Sequence, residues 1–306
     1  MKTIDIFAGC GGMSLGFMNE GFNVAHAFDN WEKAINIYKT NFKHDISDID
    51  LSNHENSAKI ISKHKPFIII GGPPCQDFSH AGKRKEGDRA DLTISFAKII
   101  QEVKPEWFVM ENVDRIVKSN SYIKARKIFK ESYYGLTEKV IDSSYCGVPQ
   151  KRKRFFCVGV KNAEDGFLDE IIQNNLSTKP MTVRDYFGEE LDIEYFYRHP
   201  RNYNRRGIFS IDEPSPTIRG VNRPVPKGYP GHPGDPIKKS SKLRPLTTIE
   251  RARIQTFPKD FYWEGSKTEL EQMIGNAVPV KMAEFIAKCI NEYIDMQNTI
   301  IFKKAK

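Results

Sequence analysis

The chain lacks the features that would place it outside a reducing, aqueous compartment. Its 306 residues include five cysteines, Cys10, Cys75, Cys146, Cys157 and Cys289, an odd set with no C-x-x-C pair. Such a set supplies neither a disulfide frame nor a structural zinc site, and no metal is expected. No apolar run approaches the roughly 20 residues of a membrane span. Asp5 interrupts the apolar stretch near the start, so no signal peptide is expected there, and the expected location is cytoplasmic. Internal repeats and low-complexity tracts are also missing. What remains, with 39% hydrophobic and 28% charged residues, is the composition of a soluble globular protein with an ample core.

Charge of one sign is concentrated in one place. The formal net charge is +8. The window from Tyr195 to Arg244 holds eleven Lys or Arg against three Asp or Glu, so it carries the whole excess, and eight of the 17 prolines fall in it. A basic, Pro-rich, loop-like segment between more regular regions points to a polyanionic partner.

Strands alternate with helices over the first half. Thr3 to Phe7 reads as a strand that runs into Ala8-Gly9-Cys10-Gly11-Gly12 and then a helix from about Ser14. A second strand from Asn23 ends near Asp29, and Trp31, Ala34, Ile35 and Tyr38 share one face of the next helix. Phe67-Ile68-Ile69-Ile70 is a short buried strand, broken by Gly71-Gly72-Pro73-Pro74 immediately before Cys75. The polar stretch from His80 to Asp91 reads as a loop beside the site. A helical stripe through Leu92, Phe96, Ile99, Ile100 and Val103 follows, and the Trp107–Met110 strand delivers Glu111-Asn112 at its carboxyl end. This pattern argues for a doubly wound α/β sheet. Thr247-x-x-Glu250 has the form of a capping box, and a last helix carries Met282, Phe285, Ile286, Cys289, Ile290 and Tyr293 on one side.

Several of these pieces bear chemistry. Two glycines and two prolines hold Cys75 on a stiff turn at a strand's carboxyl end, where ligands bind in open α/β folds. The Gly-rich turn after the first strand lets backbone approach a nucleotide. Ser14 stands at the third glycine position of G-x-G-x-x-G and the turn has no basic residue, so a ligand without pyrophosphate, such as S-adenosylmethionine, suits it better than NAD. Asp29 is placed for ribose hydroxyls. Glu111 could act as an acid. In Gln150-x-Arg152-x-Arg154 alternation puts both arginines on one face, able to grip a carboxylate or phosphate. Each has a plain alternative: an inert thiol, a tight turn, a capping carboxylate, a solvated basic strand.

Together the motifs resemble the DNA (cytosine-5)-methyltransferases of the bacterial restriction–modification kind. The resemblance spans nearly the whole chain and keeps the family order. It runs through Asp5-Ile6-Phe7-Ala8-Gly9-Cys10-Gly11-Gly12, Gly72-Pro73-Pro74-Cys75-Gln76-Asp77-Phe78-Ser79 and Glu111-Asn112-Val113. It continues through Gln150-x-Arg152-x-Arg154, Arg244-Pro245-Leu246-Thr247 and Gly275-Asn276-Ala277-Val278-Pro279.

The resemblance implies a Rossmann-like S-adenosylmethionine-dependent domain with a smaller inserted target-recognition domain. The expected boundaries are 1–178 for the catalytic domain, 179–267 for the recognition domain and 268–306 for a returning C-terminal helix. It implies Cys75 as the thiolate that adds to carbon 6 of a flipped-out cytosine, Glu111 at ring N3, and Arg152 at the base carbonyl, with Gln150 and Arg154 in support. For the methyl donor it implies Phe7, Cys10, Gly12, Asp29, Asp45, Ile46, Pro74, Leu92, Asn276 and Val278. One departure is that Asn30 follows the ribose acid where the family often has Trp, and Trp31 comes one place later. The expected partner is duplex DNA, contacted by candidates Arg205, Arg206, Arg219 and Arg223. A monomer is expected, as is a cognate endonuclease that does not bind directly. Three rivals are an RNA (tRNA) cytosine methyltransferase, a DNA adenine methyltransferase and a non-catalytic DNA-binding regulator. Cys75 stands against the second, and the intact Cys75, Glu111 and Arg152 against the third.

Overall fold

The computed structural model describes residues 1–74, 91–240 and 242–304. In chain order, β1 (Lys2–Ile6), α1 (Gly12–Asn19), β2 (Asn23–Asp29), α2 (Glu32–Asn41), β3 (Ile46–Asp48), α3 (His54–Ser62) and β4 (Ile68–Gly71) come first. Next are α4 (Leu92–Val103), β5 (Trp107–Val113), α5 (Asn120–Glu131), β6 (Tyr134–Asp142), β7 (Gln150–Lys151), β8 (Lys153–Lys161) and α6 (Asp169–Asn175). The rest are α7 (Val183–Phe187), β9 (Tyr195–Tyr197), β10 (Ile208–Ser210), β11 (Ser215–Pro216), α8 (Thr248–Ile254), α9 (Lys267–Asn276) and α10 (Val280–Lys304). Cys75 and the expected loop, apart from Asp91, lie outside the described residues.

The chain forms two compact units. The first is Met1–Ile141, Lys153–Leu176 and Ala283–Lys306; the second is Asp142–Arg152 and Ser177–Met282. This division departs from the expected boundaries at two places. β7 pairs with β11, which draws 142–152 into the second unit. α9 packs against α8, so 268–282 stays there as well and only α10 from Ala283 groups with the first.

The first unit is built on a seven-stranded sheet of order β3-β2-β1-β4-β5-β8-β6. β1 through β5 pair in parallel, and β8 runs antiparallel to β5. The fold is a Rossmann-like α/β sheet, and the order reverses between β1 and β4, the switch point where such sheets bind ligands beyond their carboxyl ends. Ile68, Ile69 and Ile70 of β4 are at most 1% exposed. β-branched residues buried on both faces suit a central parallel strand. α4 starts where Asp91 caps the Thr93 N–H at 3.0 Å and stops at Lys104, in the left-handed region before Pro105. Its Phe96, Ile99 and Ile100 join β1, β4 and β5 in one core with Phe108 and Phe129.

In the second unit, regular structure is sparse between Tyr195 and Arg244, as the prolines foretell. β9 and β10 form a short antiparallel pair over Tyr197, Ile208, Tyr229 and Leu243. Asp235 organises the loops: Oδ1 accepts the Gly207 and Ile208 N–H groups, both at 3.0 Å, and Oδ2 accepts the Tyr229 hydroxyl at 2.6 Å and the His232 N–H at 2.9 Å. Thr247 and Glu250 make the expected capping box at the start of α8.

Gly159 of β8 faces Phe108 across the β5 pairing, and a Cβ there would lie 2.0 Å from the ring. Gly159→Ala must push Phe108 off its 4.3 Å stack on Phe129. Overpacking of this kind costs about 1–3 kcal/mol. A fall in the urea midpoint at unchanged slope is expected; an unchanged midpoint would show that the ring moves freely.

Candidate active site

Two turns of the first unit lie at the switch point. The turn after β1 places Phe7, Gly9 and Gly11 at φ of 60°, 54° and 91°, a conformation glycine adopts without strain and Phe7 does not. A Cβ on Gly11 would come 2.3 Å from the Phe42 ring and 3.0 Å from Tyr38, so the turn rests directly on two aromatic side chains. Asp29, at the end of β2, ties it down. Its Oδ2 accepts the Gly9 N–H at 2.8 Å, and its Oδ1 accepts those of Asn30 and Trp31, each at 2.8 Å. Burial pushes the Asp29 carboxyl above its ordinary range, against the pull of these three donors.

Of the expected donor-site residues, Phe7, Cys10, Gly12 and Asp29 come together here. Asp45 is exposed and Ile46 buried at the start of β3, where the Asp45 carbonyl accepts the Ala27 N–H at 2.9 Å. Pro74 is exposed after β4, and Leu92 is half-buried in the first turn of α4. Asn276 and Val278 belong to the second unit. Burial pushes the Cys10 thiol up to about 12, which leaves it a packed, unreactive side chain.

The turn after β4 carries Gly72 and Pro73 toward Cys75. Asn112, buried at the end of β5, donates from Nδ2 to the Pro73 carbonyl at 2.8 Å, while its Oδ1 accepts the Val113 N–H at 2.8 Å. Glu111 is 8% exposed, and its Oε1 pairs with Arg154 Nε at 3.0 Å. A Cβ on Gly72 would lie 3.1 Å from Glu111 Oε2, so this carboxylate sits against the backbone three residues before the cysteine. Burial lowers the Arg154 guanidinium from its ordinary value, with Glu111 and then Asp114 opposing the shift.

The expected arginine pair does not share a face. β7 pairs with β11 and β8 with β5, so the chain changes sheets at Arg152 and the alternation is broken there. Arg154 meets Glu111 in the first unit. Arg152, 1% exposed in the second, donates to the carbonyls of Ile218 at 3.0 Å, Gly275 at 3.0 Å and Ala277 at 3.1 Å. Its guanidinium is a clamp on main chain. Gln150 is fully buried beside it, accepting the Ile218 N–H at 2.7 Å and donating to Gln255 Oε1 at 2.7 Å. Gln255 in turn donates to the carbonyls of Ile274 at 2.6 Å and Ala277 at 3.1 Å.

The arginine candidates of the basic window divide. Arg206 pairs with Glu213 and lies 4.3 Å over the Phe209 ring. Arg205 and Arg223 are exposed and form no ion pair among the described residues. Arg219 donates to the His199 carbonyl. Arg198, which sequence reasoning missed, donates to the Thr217 carbonyl at 3.0 Å. Burial, then Arg219, Arg201, Arg251 and Arg205, bring its guanidinium down to about 9. Arg198, Arg219, Arg223 and Arg251 line one pocket with His199 and Asn222.

Residues 1–292 match the family of C-5 cytosine-specific DNA methylases. The chain belongs to that family. It is 59% identical over 292 residues to the Type II methyltransferase M.HindV of Haemophilus influenzae, covering 95% of this chain and 96% of that one. It is 54% identical over 296 residues to the Type II methyltransferase M.HgiDI of Herpetosiphon aurantiacus, covering 96% of each. Among solved structures, the S. pombe Dnmt2 methyltransferase aligns with a TM-score of 0.72 at 19% identity, covering 95% of this chain and 98% of that one. A putative DNA modification methyltransferase from an E. coli prophage aligns at 0.70 with 24% identity, covering 96% and 99%. These two likenesses establish the fold.

The methyltransferase takes its methyl group from S-adenosylmethionine, and the turn after β1 fits that donor. Among the described residues, chain neighbours aside, no atom lies within 4 Å of where a Cβ on Gly9 would stand, which leaves room for a ligand to approach the backbone. Asp29 supplies a fixed carboxylate of the kind that ribose hydroxyls need. No described helix is long and apolar enough to cross a membrane. Asn112 and Gln255 were not singled out from the sequence. Asn112 stood inside the quoted Glu-Asn-Val motif, but nothing in the sequence pointed to Gln255.

A Cβ on Gly275 would lie 2.3 Å from the Gly220 nitrogen and 2.4 Å from the Arg219 carbonyl carbon. Backbone cannot step aside as a side chain can. Gly275→Ala is therefore expected to cost the methyltransferase about 3 kcal/mol, the upper part of the overpacking range, read as a lowered thermal or urea midpoint. A wild-type midpoint would mean that the clamp tolerates a methyl group.

Proposed function

We propose that this methyltransferase modifies carbon 5 of cytosine within a short specific duplex sequence, through a covalent bond from Cys75 to carbon 6 of a base turned out of the helix. The observation that carries the reading is the Gly72-Pro73 turn. It is held by Asn112 and lies against Glu111, at the carboxyl ends of adjacent parallel strands, and it leads straight into Cys75.

Cytosine carbon 5 is a poor nucleophile. Addition of the Cys75 thiolate to carbon 6 moves the C5–C6 π electrons into the ring and makes carbon 5 enamine-like. Negative charge gathers at N3, where Glu111 would hydrogen-bond or protonate the ring. Arg154 fixes Glu111 in advance of substrate. S-adenosylmethionine supplies an electrophilic methyl on a sulfonium sulfur, and Phe7, Gly12 and Asp29 would hold it. Loss of the carbon 5 proton and departure of the thiolate then restore the ring and the enzyme. A base stacked in a duplex is out of reach, so it must be flipped. Arg152 and Gln150 act in this reading by fixing the 218 and 275–277 main chain.

Phosphate contacts would come from Arg198, Arg201, Arg205, Arg219 and Arg223, whose mutual repulsion a polyanion relieves. Arg206, engaged by Glu213 and Phe209, would serve the fold. The names of the relatives, Type II methyltransferases, support a place in a restriction–modification system; in this reading the enzyme is a monomer and any cognate endonuclease acts separately.

Bisulfite sequencing of DNA from cells expressing the chain should report protected cytosines in one sequence context. Cys75→Ala should abolish the protection; methylation by that variant would overturn the nucleophile. Glu111→Gln should lower kcat by about 10²-fold or more with little change in the Kd for DNA, whereas equal losses in both would make Glu111 a binding residue. Arg205→Ala and Arg223→Ala should each reduce the slope of log affinity against log salt by about 0.9. Arg206→Ala should leave that slope alone, and a reduced slope would return Arg206 to the interface.

A further inference from the structure

Asp5 is a carboxyl that the chemistry above does not use, yet it lies 1% exposed in β1, two residues before the donor turn. It begins a continuous chain of polar groups. Ser14 Oγ donates to Asp5 Oδ2 at 2.6 Å, Ser14 Oγ and the Tyr38 hydroxyl are 2.7 Å apart, and the Tyr38 hydroxyl lies 2.7 Å from His44 Nε2. Ser14 and Tyr38 are fully buried, and His44 is half-buried at the outer end. The Tyr38 ring stacks on Phe42 at 4.2 Å, and these two rings are the floor under Gly11.

Proton inventory gives this chain two states. Each hydroxyl has one proton to donate. With Asp5 ionised, Ser14 donates to Asp5, Tyr38 donates to Ser14, and His44 must donate from Nε2 to Tyr38. With Asp5 protonated, the carboxyl can donate to Ser14, Ser14 to Tyr38, and Tyr38 to a bare His44 Nε2. The two arrangements differ by one proton at the buried end and by the ring tautomer at the outer end.

Burial raises Asp5 to about 7, with Ser14 opposing and Asp29 of β2 adding to the rise. Burial lowers His44 from its ordinary value, with Asp45 opposing. His26 of β2 also feels His44 and Asp45. An ionised Asp29 accepts ribose hydroxyls more strongly than a neutral one, and a second charge at Asp5 opposes that ionisation. Donor binding and a protonated Asp5 therefore favour each other.

We propose that Asp5, Ser14, Tyr38 and His44 form a one-proton relay that positions the methyl-donor turn and couples donor affinity to pH. They are positioning residues, and the inference rests on the reading of the 7–12 turn as the donor site. The test is calorimetric titration of the full chain with S-adenosylhomocysteine between pH 5.5 and 8.5, in buffers of different ionisation enthalpy. The unaltered protein should bind less tightly as pH rises through about 7 and should take up protons on binding there. Asp5→Asn should bind with a flat pH profile and no uptake. Tyr38→Phe should weaken binding about fivefold, as loss of one hydrogen bond does, and move the midpoint of uptake. His44→Leu should do the same, and His44→Gln, whose amide can donate or accept, should restore both. His44 is half-buried, so its variants keep the test open if Tyr38→Phe does not fold. Uptake retained in Asp5→Asn, or midpoints unmoved in the Tyr38 and His44 variants, overturns the relay alone. An unaltered protein that does not bind the probe overturns the donor-site reading and the relay with it.

Discussion

The Asn112 amide hydrogen-bonded to the Pro73 carbonyl joins the end of β5 to the turn after β4, and the proposed catalytic arrangement depends on that join. It forms because β1, β4 and β5 are in parallel register, with Ile6 opposite Gly71 and Gly71 opposite Met110. The register in turn needs glycine at 71, where a Cβ would lie 2.3 Å from the Ile6 carbonyl oxygen. A buried side-chain amide without its partner costs about 1–3 kcal/mol, so the turn is held where it is without help from a substrate. Such advance placement is what a covalent step at a single carbon requires.

The same physics acts on charge. Arg152 and Glu111 are buried and Arg154 is half-buried, and each guanidinium is matched to carbonyls or to a carboxylate. A second buried pair, Arg251 with Glu271, holds α8 to α9, and Glu271 also accepts from Thr248 at 2.9 Å and Asn222 at 3.1 Å. Pairs of this kind add little net stability over apolar packing, but losing one member is costly. They fix geometry, and the Gly275 main chain jammed against Gly220 shows how little slack remains in the second unit. Arg198 and Arg219 are a different case: their guanidiniums donate to main-chain carbonyls and lie among further arginines that repel them.

Much of this was legible in the residues. The isoleucine run before Gly71, the stripe through Phe96, Ile99 and Ile100, and the Thr247–Glu250 box announce local structure, because periodicity and capping are local. The order of motifs announced the fold and the family. Sheet membership was not legible: Gln150-x-Arg152-x-Arg154 has the alternation of one strand, and only pairing with β11 and β5 reveals two. For the same reason the compact units divide differently from the expected boundaries at 142–152 and 268–282. Gln255 gave no signal, since its partners lie far along the chain; Asp5 stood at the head of a quoted motif, but its link to Ser14, and through it to Tyr38, was not legible there. Cys75 itself lies outside the described residues, and the reading of its role rests on Gly72, Pro73 and Glu111.

The central claim is that the Cys75 sulfur bonds to a cytosine ring during methyl transfer. A duplex carrying 5-fluorocytosine at the target position, incubated with the protein and S-adenosylmethionine, tests it directly, because fluorine at carbon 5 cannot leave as a proton does. The account predicts a DNA–protein adduct stable to denaturation, with the mass of the methylated duplex fragment mapping to Cys75. Methyl transfer to unmodified duplex without any trapped adduct on the fluorinated one, or an adduct mapping to another residue, would contradict it.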